Sequence, residues 1–211
     1  MPLGPLAANA YLIGDEGTRE AVVIDPGQEP EPLLARIADE GWRVTALLCT
    51  HAHFDHIGGA LALQEATGAI LHVPAPERAW LEAPMSNLSA ALAAAGVPEV
   101  RLSGIRAEGV GDGFWLALGS GVVEALSTPG HTPGGLSFYA PGLGEGGAVF
   151  TGDSLFAGTI GRTDLPGGDA VRLLASIRER LLTLPPATAV LPGHGRATTV
   201  EDERLLNPYL G

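Results

Sequence analysis

The sequence predicts a mixed α/β fold, built as one domain over residues 1–211. Apolar runs of strand length alternate with helical patterns through the first half of the chain, and strand-like runs dominate the second half. Glycine and proline punctuate these runs without any repeat, which indicates tight turns rather than a fibrous chain. Two halves that each mix strands and helices indicate two sheets packed together and covered by helices.

The first half is expected to contain four strands and two helices. The strands are predicted over residues 3–13, 21–24, 44–49 and 69–73, and the helices over residues 30–40 and 58–67. Helical pieces are expected over residues 74–96. Residues 98–121 have no clear period and are expected to run over the surface.

The second half is expected to begin with three strands and to end with a helix. The strands are predicted over residues 121–126, 136–140, 148–151 and 187–191, and the helices over residues 169–184 and 200–206. A glycine-rich loop covers residues 154–168.

The amino-acid composition limits the kinds of binding partner and the cellular compartment that we expect for this protein. The formal net charge is −12 and all 12 basic residues are arginine, which argues against a nucleic-acid partner because phosphate binding needs clustered positive charge. The one cysteine, Cys49, cannot form an intramolecular disulfide, which fits a reducing compartment. No signal peptide and no membrane-length apolar run is recognisable, so we expect a cytoplasmic protein without membrane contact. The sequence does not predict an oligomeric state.

Four potential metal ligands crowd the segment between the strand over residues 44–49 and the helix over residues 58–67. They are His51, His53, Asp55 and His56. In an extended or turn-like loop, residues two apart point the same way, so His51 and His53 are expected to face one point and the other pair a neighbouring one. The alternative is a polar, solvated loop, but four ligands in six residues indicate two ions side by side.

Three further candidates follow glycines at the ends of later strands. His131 follows Gly130, Asp153 follows Gly152, and His194 follows Gly193. Glycine permits the sharp turn out of a strand, and loops at strand ends commonly carry binding sites. We therefore expect these side chains to meet on one rim.

The seven candidates suit two divalent metal ions, because imidazole and carboxylate ligands accept zinc, iron or manganese. Three ligands for each ion with Asp153 as a bridge would account for all of them. A bridging water or hydroxide would be the nucleophile, since metal binding lowers the pKa of water from about 16 to about 7.

The order His-x-His-x-Asp-His, Gly-His, Gly-Asp, Gly-His resembles the metallo-β-lactamase superfamily. The resemblance implies an αββα four-layer sandwich with the metals at one edge of the two sheets. It implies that His51, His53 and His131 hold one metal, that Asp55, His56 and His194 hold the other, and that Asp153 bridges them. Asp25 resembles the buried acidic residue of the family that braces the metal loop, and the alternative is a plain turn aspartate before Pro-Gly.

Two features indicate the branch of the superfamily. Zinc β-lactamases of the main type have a cysteine at the position of Asp153, which argues against antibiotic hydrolysis. The run from Gly152 to Leu165 is similar to short relatives of the hydroxyacylglutathione hydrolase (glyoxalase II) group. Full-length glyoxalase II has a C-terminal helical domain that helps to bind glutathione, whereas this chain ends at Gly211, so the resemblance does not carry glutathione specificity with it.

The resemblance implies hydrolysis of an anionic small-molecule thioester such as S-lactoylglutathione by a metal-bridging hydroxide. Asp55 would hold the proton of the hydroxide as well as bind metal. Arg162 is the candidate for binding an anionic substrate group, and its alternative is an ion pair with Asp164. Phe156 and Ile160 are candidates for the pocket wall or for core packing.

Two alternatives to a thioesterase remain open. Persulfide dioxygenases with a single iron have a similar Gly-Arg-Thr-Asp run, and by resemblance would use only His51, His131 and Asp153. A metal-binding scaffold that acts through a partner is the non-enzymatic alternative. Cys49 is expected to be a core residue, and His72 is expected to be packed or to support the site.

Overall fold

The computed structural model describes residues 1–211, and the chain forms two compact units, Met1–Val110 and Gly111–Gly211. Each unit has its own sheet and its own helices, as the alternation of strand and helix patterns predicts. That the two units fold together as one domain remains a prediction. No helix combines the length with the apolar character needed to cross a membrane.

The first unit is built on a five-stranded sheet with the order β3-β4-β5-β6-β7. The two opening strands pair antiparallel, and β4 to β7 are parallel. A separate two-stranded ribbon, β1-β2, precedes the sheet. The bounds are β1 (Pro2–Leu3), β2 (Ala8–Asn9), β3 (Tyr11–Asp15), β4 (Glu20–Ile24), β5 (Arg43–Leu48), β6 (Ile70–Pro74) and β7 (Ala107–Val110).

Helices connect the parallel strands of this unit. They are α1 (Glu31–Glu40), α2 (Phe54–Ile57) and α3 (Ala60–Thr67), followed by two 3₁₀ segments, Ala75–Glu82 and Ser89–Ala95. Helix α1 ends where Gly41 adopts a left-handed conformation, with φ of 68°. Leu33 and Ile37 of α1 pack with Val23 and Leu47 of the sheet into an apolar core. This core fixes the sheet from which the first ligand loop projects.

The second unit is built on a six-stranded sheet with the order β15-β14-β11-β10-β9-β8. All of its neighbours pair antiparallel except β11 and β14, which are parallel. A small hairpin, β12-β13, stands apart from the sheet. The bounds are β8 (Trp115–Leu118), β9 (Gly121–Ser127), β10 (Leu136–Ala140), β11 (Ala148–Gly152), β12 (Leu155–Phe156), β13 (Thr159–Ile160), β14 (Ala189–Pro192) and β15 (Thr198–Thr199).

Two helices complete the second unit, α4 (Ala170–Ser176) and α5 (Val200–Leu206). Asp169 caps α4 by accepting a hydrogen bond from the Arg172 amide, as expected for aspartate before a helix. Helix α4 continues as a π-helical turn, Ile177–Leu181. Leu173 and Ile177 pack against Val149 and Val190 of the parallel strand pair. The helix therefore supports the two strands that carry ligands at their ends.

Four of the predicted boundaries were wrong. The strand predicted over residues 3–13 is broken into β1, β2 and β3, because a turn closes from the Ala7 amide to the Gly4 carbonyl. The region over residues 98–121 contains β7 and β8 rather than surface loop alone. The helix predicted over residues 58–67 is preceded by α2, and the helix predicted over residues 169–184 ends at Leu181 after its π-helical turn.

Candidate metal centre

The first ligand loop follows β5 and holds four predicted ligands in buried positions. His51, His53, Asp55 and His56 are each at most 8% exposed. His53 has extended backbone and stands immediately before α2, which carries Asp55 and His56. The expectation of an extended loop is therefore wrong for the last two, because α2 begins at Phe54. The helical turn still brings the His56 ring to 4.2 Å from the His51 ring, and the His53 ring lies 4.7 Å from His51.

Asp25 connects two points of this loop. Its carboxylate accepts hydrogen bonds from the Thr50 amide and the Thr50 hydroxyl, both at 2.8 Å. Its Oδ2 atom also lies 3.0 Å from His56 Nδ1. Asp25 is 1% exposed, and its amide donates to the Leu48 carbonyl at the end of β5. A buried carboxylate in this position holds the start of the loop and its last histidine together.

Asp25 occupies an uncommon backbone conformation. Its φ is 50°, in the left-handed region that non-glycine residues seldom adopt. Aspartate is among the residues that enter this region most readily. The conformation turns the chain sharply out of β4 toward Gly27, whose amide donates to the His56 carbonyl at 3.1 Å. The strained turn therefore holds the Asp25 side chain against the loop.

In the second unit, Asp153 and His194 are placed by the register of two adjacent parallel strands. Gly152 at the end of β11 is opposite Pro192 at the end of β14. The Gly193 amide donates to the Gly152 carbonyl at 2.8 Å, which extends the pairing past the strand ends. Because the carboxyl ends of parallel strands meet at one edge, the next side chains along each strand emerge together. Residues distant in sequence thus become neighbours.

The two oxygens of Asp153 face different histidines. Asp153 Oδ2 lies 3.6 Å from His131 Nε2, and Asp153 Oδ1 lies 3.8 Å from His194 Nε2. These distances are too long for direct hydrogen bonds but suit a metal ion between each nitrogen and oxygen. A carboxylate that presents one oxygen to each of two ligands has the geometry of a bridge.

Two glycines make room around Asp153 and His131. A Cβ atom on Gly161 would lie 1.8 Å from the Asp153 carbonyl oxygen. A Cβ atom on Gly130 would lie 2.4 Å from the backbone of Leu173, and Gly130 also has φ of 136°. Any larger residue at either position would displace a ligand-bearing segment, so the Gly-His pair at residues 130–131 reflects close packing as well as turn geometry.

The hydrogen bonds of three histidines assign their tautomers. His131 Nδ1 lies 2.8 Å from the Arg162 carbonyl, which can only accept, so Nδ1 carries the proton. The Thr50 hydroxyl donates to Asp25, so it accepts from His51 Nδ1 at 3.0 Å. His56 Nδ1 donates to Asp25 in the same way. In each ring Nε2 is then unprotonated, and a neutral imidazole in this tautomer can bind a metal ion through Nε2. The donor set therefore fits zinc, iron or manganese.

The backbone carbonyl and the side chain of Arg162 have different partners. Its carbonyl orients His131, while its guanidinium binds Asp164 through two hydrogen bonds of 2.8 and 2.7 Å. Of the two roles considered for the Arg162 side chain, the structure therefore contains the ion pair with Asp164. The hydrogen bonds from Arg162 lower the pKa of Asp164 to about 2. Both side chains are exposed, so the ion pair lies in solvent.

Cys49 and His72, which the sequence analysis did not assign as metal ligands, are both buried. Cys49 is fully buried among the core residues of the first unit, and burial raises the pKa of its thiol well above the ordinary value. The expectation that it is a core residue is confirmed. His72 is buried in β6, with Nδ1 at 3.8 Å from Glu108 Oε2.

The two candidates for the pocket wall differ. The Phe156 ring is half-buried, and its centre lies 6.5 Å from the His194 ring. Ile160 packs against the apolar core of the second unit. Ile160 therefore has the packing role, and Phe156 adjoins a ligand.

Sequence reasoning missed three residues that support the first loop. The Thr50 hydroxyl donates to Asp25 and accepts from His51. Glu77 accepts a hydrogen bond from the Ala52 amide, and the Asn87 carbonyl accepts one from the Phe54 amide. Thr50 is adjacent to the motif and could have been suspected as a partner. Glu77 and Asn87 lie among other polar residues, and no spacing in the sequence sets them apart as partners of the loop.

Comparison with known proteins gives a family match over residues 3–194, to the metallo-beta-lactamase superfamily. A probable metallo-hydrolase of Bacillus subtilis is 41% identical over 100% of this chain and 95% of its own length. The hydroxyacylglutathione hydrolase GloC of Haemophilus influenzae is 35% identical over 100% of this chain and 96% of its own length.

Solved structures agree with the family match. The B3 metallo-beta-lactamase BLEG-1 superposes with a TM-score of 0.91 at 38% identity, over 99% of this chain and 97% of that one. TTHA1623 in a di-iron-bound form gives 0.83 at 40% identity, over 100% and 98%. ETHE1 from Myxococcus xanthus gives 0.75 at 32% identity, over 96% and 79%. These matches confirm the predicted fold class.

Proposed function

Because the chain belongs to the metallo-β-lactamase superfamily, we propose that it is a dinuclear metal-dependent hydrolase of an anionic thioester. The observation that carries this proposal is the position of Asp153, whose two oxygens face His131 and His194 separately. One carboxylate with an oxygen toward each of two histidines is an arrangement that suits two neighbouring ions. The assigned histidine tautomers support the same conclusion.

The ligands would divide between the two ions by family pattern. By that pattern His51, His53 and His131 would hold one ion, Asp55, His56 and His194 would hold the other, and Asp153 would serve both. When bound, such ions supply an ionised water and positive charge opposite the substrate carbonyl oxygen. Zinc, iron and manganese all suit these ligands, and the similar structure in a di-iron-bound form supports iron as one occupant.

Asp55 has a second role in this proposal. Its Oδ2 atom lies 3.6 Å from His56 Nε2, so the carboxylate adjoins the ligand nitrogen of its neighbour. From there it would accept a hydrogen bond from the attacking hydroxide and so hold its remaining proton. The carbonyl carbon gains a C–O bond and loses its C–S bond, and the sulfur leaves as a thiolate. Thiolates are good leaving groups, so the chain needs no strong general acid.

The substrate class is proposed from the relatives and from the exposed arginine. The Haemophilus influenzae protein named as a hydroxyacylglutathione hydrolase matches this chain over nearly its whole length. S-lactoylglutathione is therefore the first thioester to test. Arg162 would bind the carboxylate of such a substrate in place of Asp164, since its planar guanidinium suits a second carboxylate equally well. The partner would be a small molecule rather than nucleic acid or membrane.

The test is hydrolysis of S-lactoylglutathione by purified protein loaded separately with zinc, iron or manganese. We expect thiol release that depends on the metal and is abolished by chelation. Asp153→Asn is the variant that should lose both the activity and the second metal equivalent. Glu145→Gln, which changes an exposed carboxylate in a turn, is the matched control. Metal-loaded protein that releases no thiol would contradict this substrate, and a β-lactam hydrolysed faster than the thioester would replace it.

Persulfide dioxygenation with one iron is the second candidate function. It is favoured by the run Gly161-Arg162-Thr163-Asp164 that the sequence shares with that group. Oxygen uptake with glutathione persulfide, measured together with iron content, separates the two functions. One iron per chain with oxygen uptake would establish the dioxygenase, whereas two metals per chain with thiol release would exclude it.

A further inference from the structure

We infer that Glu77 is a positioning residue for the first two histidine ligands, an inference that rests on the proposed metal centre. Glu77 belongs to the 3₁₀ segment Ala75–Glu82 and is fully buried. Glutamate is almost never fully buried unless it is paired, because removing a carboxylate from water is costly. Its burial therefore indicates a specific partner.

The partner is the peptide group between the two ligands. Glu77 Oε2 accepts a hydrogen bond from the Ala52 amide at 2.7 Å, and Ala52 lies between His51 and His53. The distance is typical of a charge-assisted hydrogen bond, which is about twice as strong as a neutral one. This amide belongs to the His51–Ala52 peptide group, so holding it fixes the backbone directly after His51 and one residue before His53. Glu77 thus acts on the ligands through the backbone.

Two neighbouring contacts extend the same support along the loop. The Trp80 ring stacks on the His53 ring with centres 6.1 Å apart and planes inclined by 18°. The Phe54 amide donates to the Asn87 carbonyl at 3.0 Å. Asn87 is itself buried and donates to the Trp80 and Val100 carbonyls. Ala52 and His53 therefore contact the segment that contains Glu77, and Phe54 contacts Asn87, which is itself hydrogen-bonded to Trp80 of that segment.

Glu77 and Asp25 hold the loop at different points. Asp25 contacts Thr50 and His56 at the two ends of the loop, whereas Glu77 contacts its middle. Loss of Asp25 would free both ends, but the His51–Ala52 peptide group would keep its hydrogen bond to Glu77. Loss of Glu77 would instead let that peptide rotate, which changes the angle between the two imidazoles. The two carboxylates therefore have separable effects on metal geometry.

The experiment measures cobalt(II) binding to metal-free protein by absorption spectroscopy, which does not depend on any substrate. We expect Glu77→Ala to weaken cobalt binding by about tenfold or more and to alter the d–d absorption bands. Glu77→Gln keeps an acceptor oxygen and should recover most of the affinity and the wild-type bands. Glu82→Gln, at an exposed position of the same segment, is the matched control and should change neither.

A folded Glu77→Ala protein with wild-type cobalt affinity and wild-type bands would overturn the inference. If Glu77→Ala does not fold, Glu77→Asp replaces it: the shorter side chain keeps the charge but not the reach, and wild-type bands in that variant would overturn the inference equally. Failure of thioester hydrolysis in the wild-type protein would count against the proposed function alone, because the cobalt spectra would still report the positioning effect.

Discussion

The two units place their proposed metal ligands by different means. The first unit gathers four ligands in one loop, where buried carboxylates of Asp25 and Glu77 hold the backbone and one imidazole. The second unit takes three ligands from three strand ends, and strand register with a backbone hydrogen bond aligns two of them. A hydrogen bond from one side chain is lost with that residue, whereas the register of two strands depends on many backbone hydrogen bonds. The first loop should therefore be more sensitive to substitutions outside the ligands themselves.

The largest effect is expected for Asp153→Ala, which tests whether the second unit supplies the bridge. Removal of the carboxylate leaves His131 and His194 without their shared neighbour. We expect thiol release to fall by about a hundredfold or more, comparable to the loss of a major electrostatic contact in an active site. Elemental analysis should show less than two metals per chain. Full occupancy of both ions in the variant would contradict the bridging role.

Asp25→Ala tests the brace of the first loop without touching a proposed ligand. The Thr50 amide and hydroxyl and His56 Nδ1 would lose their buried acceptor. We expect metal affinity to fall by about 10- to 100-fold, as is usual when a residue that orients a ligand is removed. Competition with a chelator of known affinity measures it. Asp39→Ala, at an exposed end of α1, should behave as wild type.

Glu203→Ala provides the corresponding test in the second unit. This buried carboxylate accepts hydrogen bonds from the Gly158 amide, the Thr198 hydroxyl and the Asn207 side chain, and so ties α5 to the β12-β13 hairpin. We expect a loss of about 1–3 kcal/mol in the free energy of unfolding, because three donors lose their acceptor. Metal affinity should stay near wild type, since strand register places the ligands.

Urea unfolding monitored by circular dichroism measures the change in the Glu203 variant, and Glu201→Ala at an exposed position of α5 is the control. A fall in metal affinity as large as that of Asp25→Ala would remove the distinction between the two units.

The smallest effect is expected for His72→Gln, which separates a core histidine of the first unit from its ligand histidines. Burial lowers the pKa of His72 below its ordinary value of 6.5, although Glu108 partly opposes this. As the pH falls below about 6.5, the unfolded chain takes up a proton before the folded one does, so the free energy of unfolding decreases. The variant should lose this part of the pH dependence. Urea titrations on both sides of about pH 6.5 measure it, and identical pH slopes would exclude the effect.

The sequence predicted most elements because local signals marked them. Proline near the start and Gly41 at the end fix α1, and apolar runs fix the central strands of both sheets. The edge strands β7 and β8 were missed because each is four residues long and half of the residues in each are exposed. Strand β7 pairs with β6, which is distant in sequence. Strand β8 pairs with β9 across Gly119-Ser120, a two-residue hairpin signal from which it could have been predicted.

The candidate ligands could be named from the sequence, whereas the residues that support them could not. Metal binding restricts ligands to a few residue types at fixed spacing, so a metal-binding motif can be recognised in the sequence. A supporting residue needs only a carboxylate or carbonyl in the right place, and Glu77 and Asn87 meet that need from an irregular segment. Their roles follow from tertiary contacts. Asp25 could be anticipated only because the family resemblance pointed to it.

The parallel pairing of β11 with β14 has a consequence for chain length. The separation between the Asp153 carboxylate and the His194 imidazole is set across the strands, through the hydrogen bond between Gly193 and Gly152. The intervening polypeptide can therefore gain or lose residues at an exposed turn such as Pro185–Pro186 while the carboxylate–imidazole spacing stays the same. Between Asp55 and His56, which are adjacent in the chain, no such insertion is tolerable.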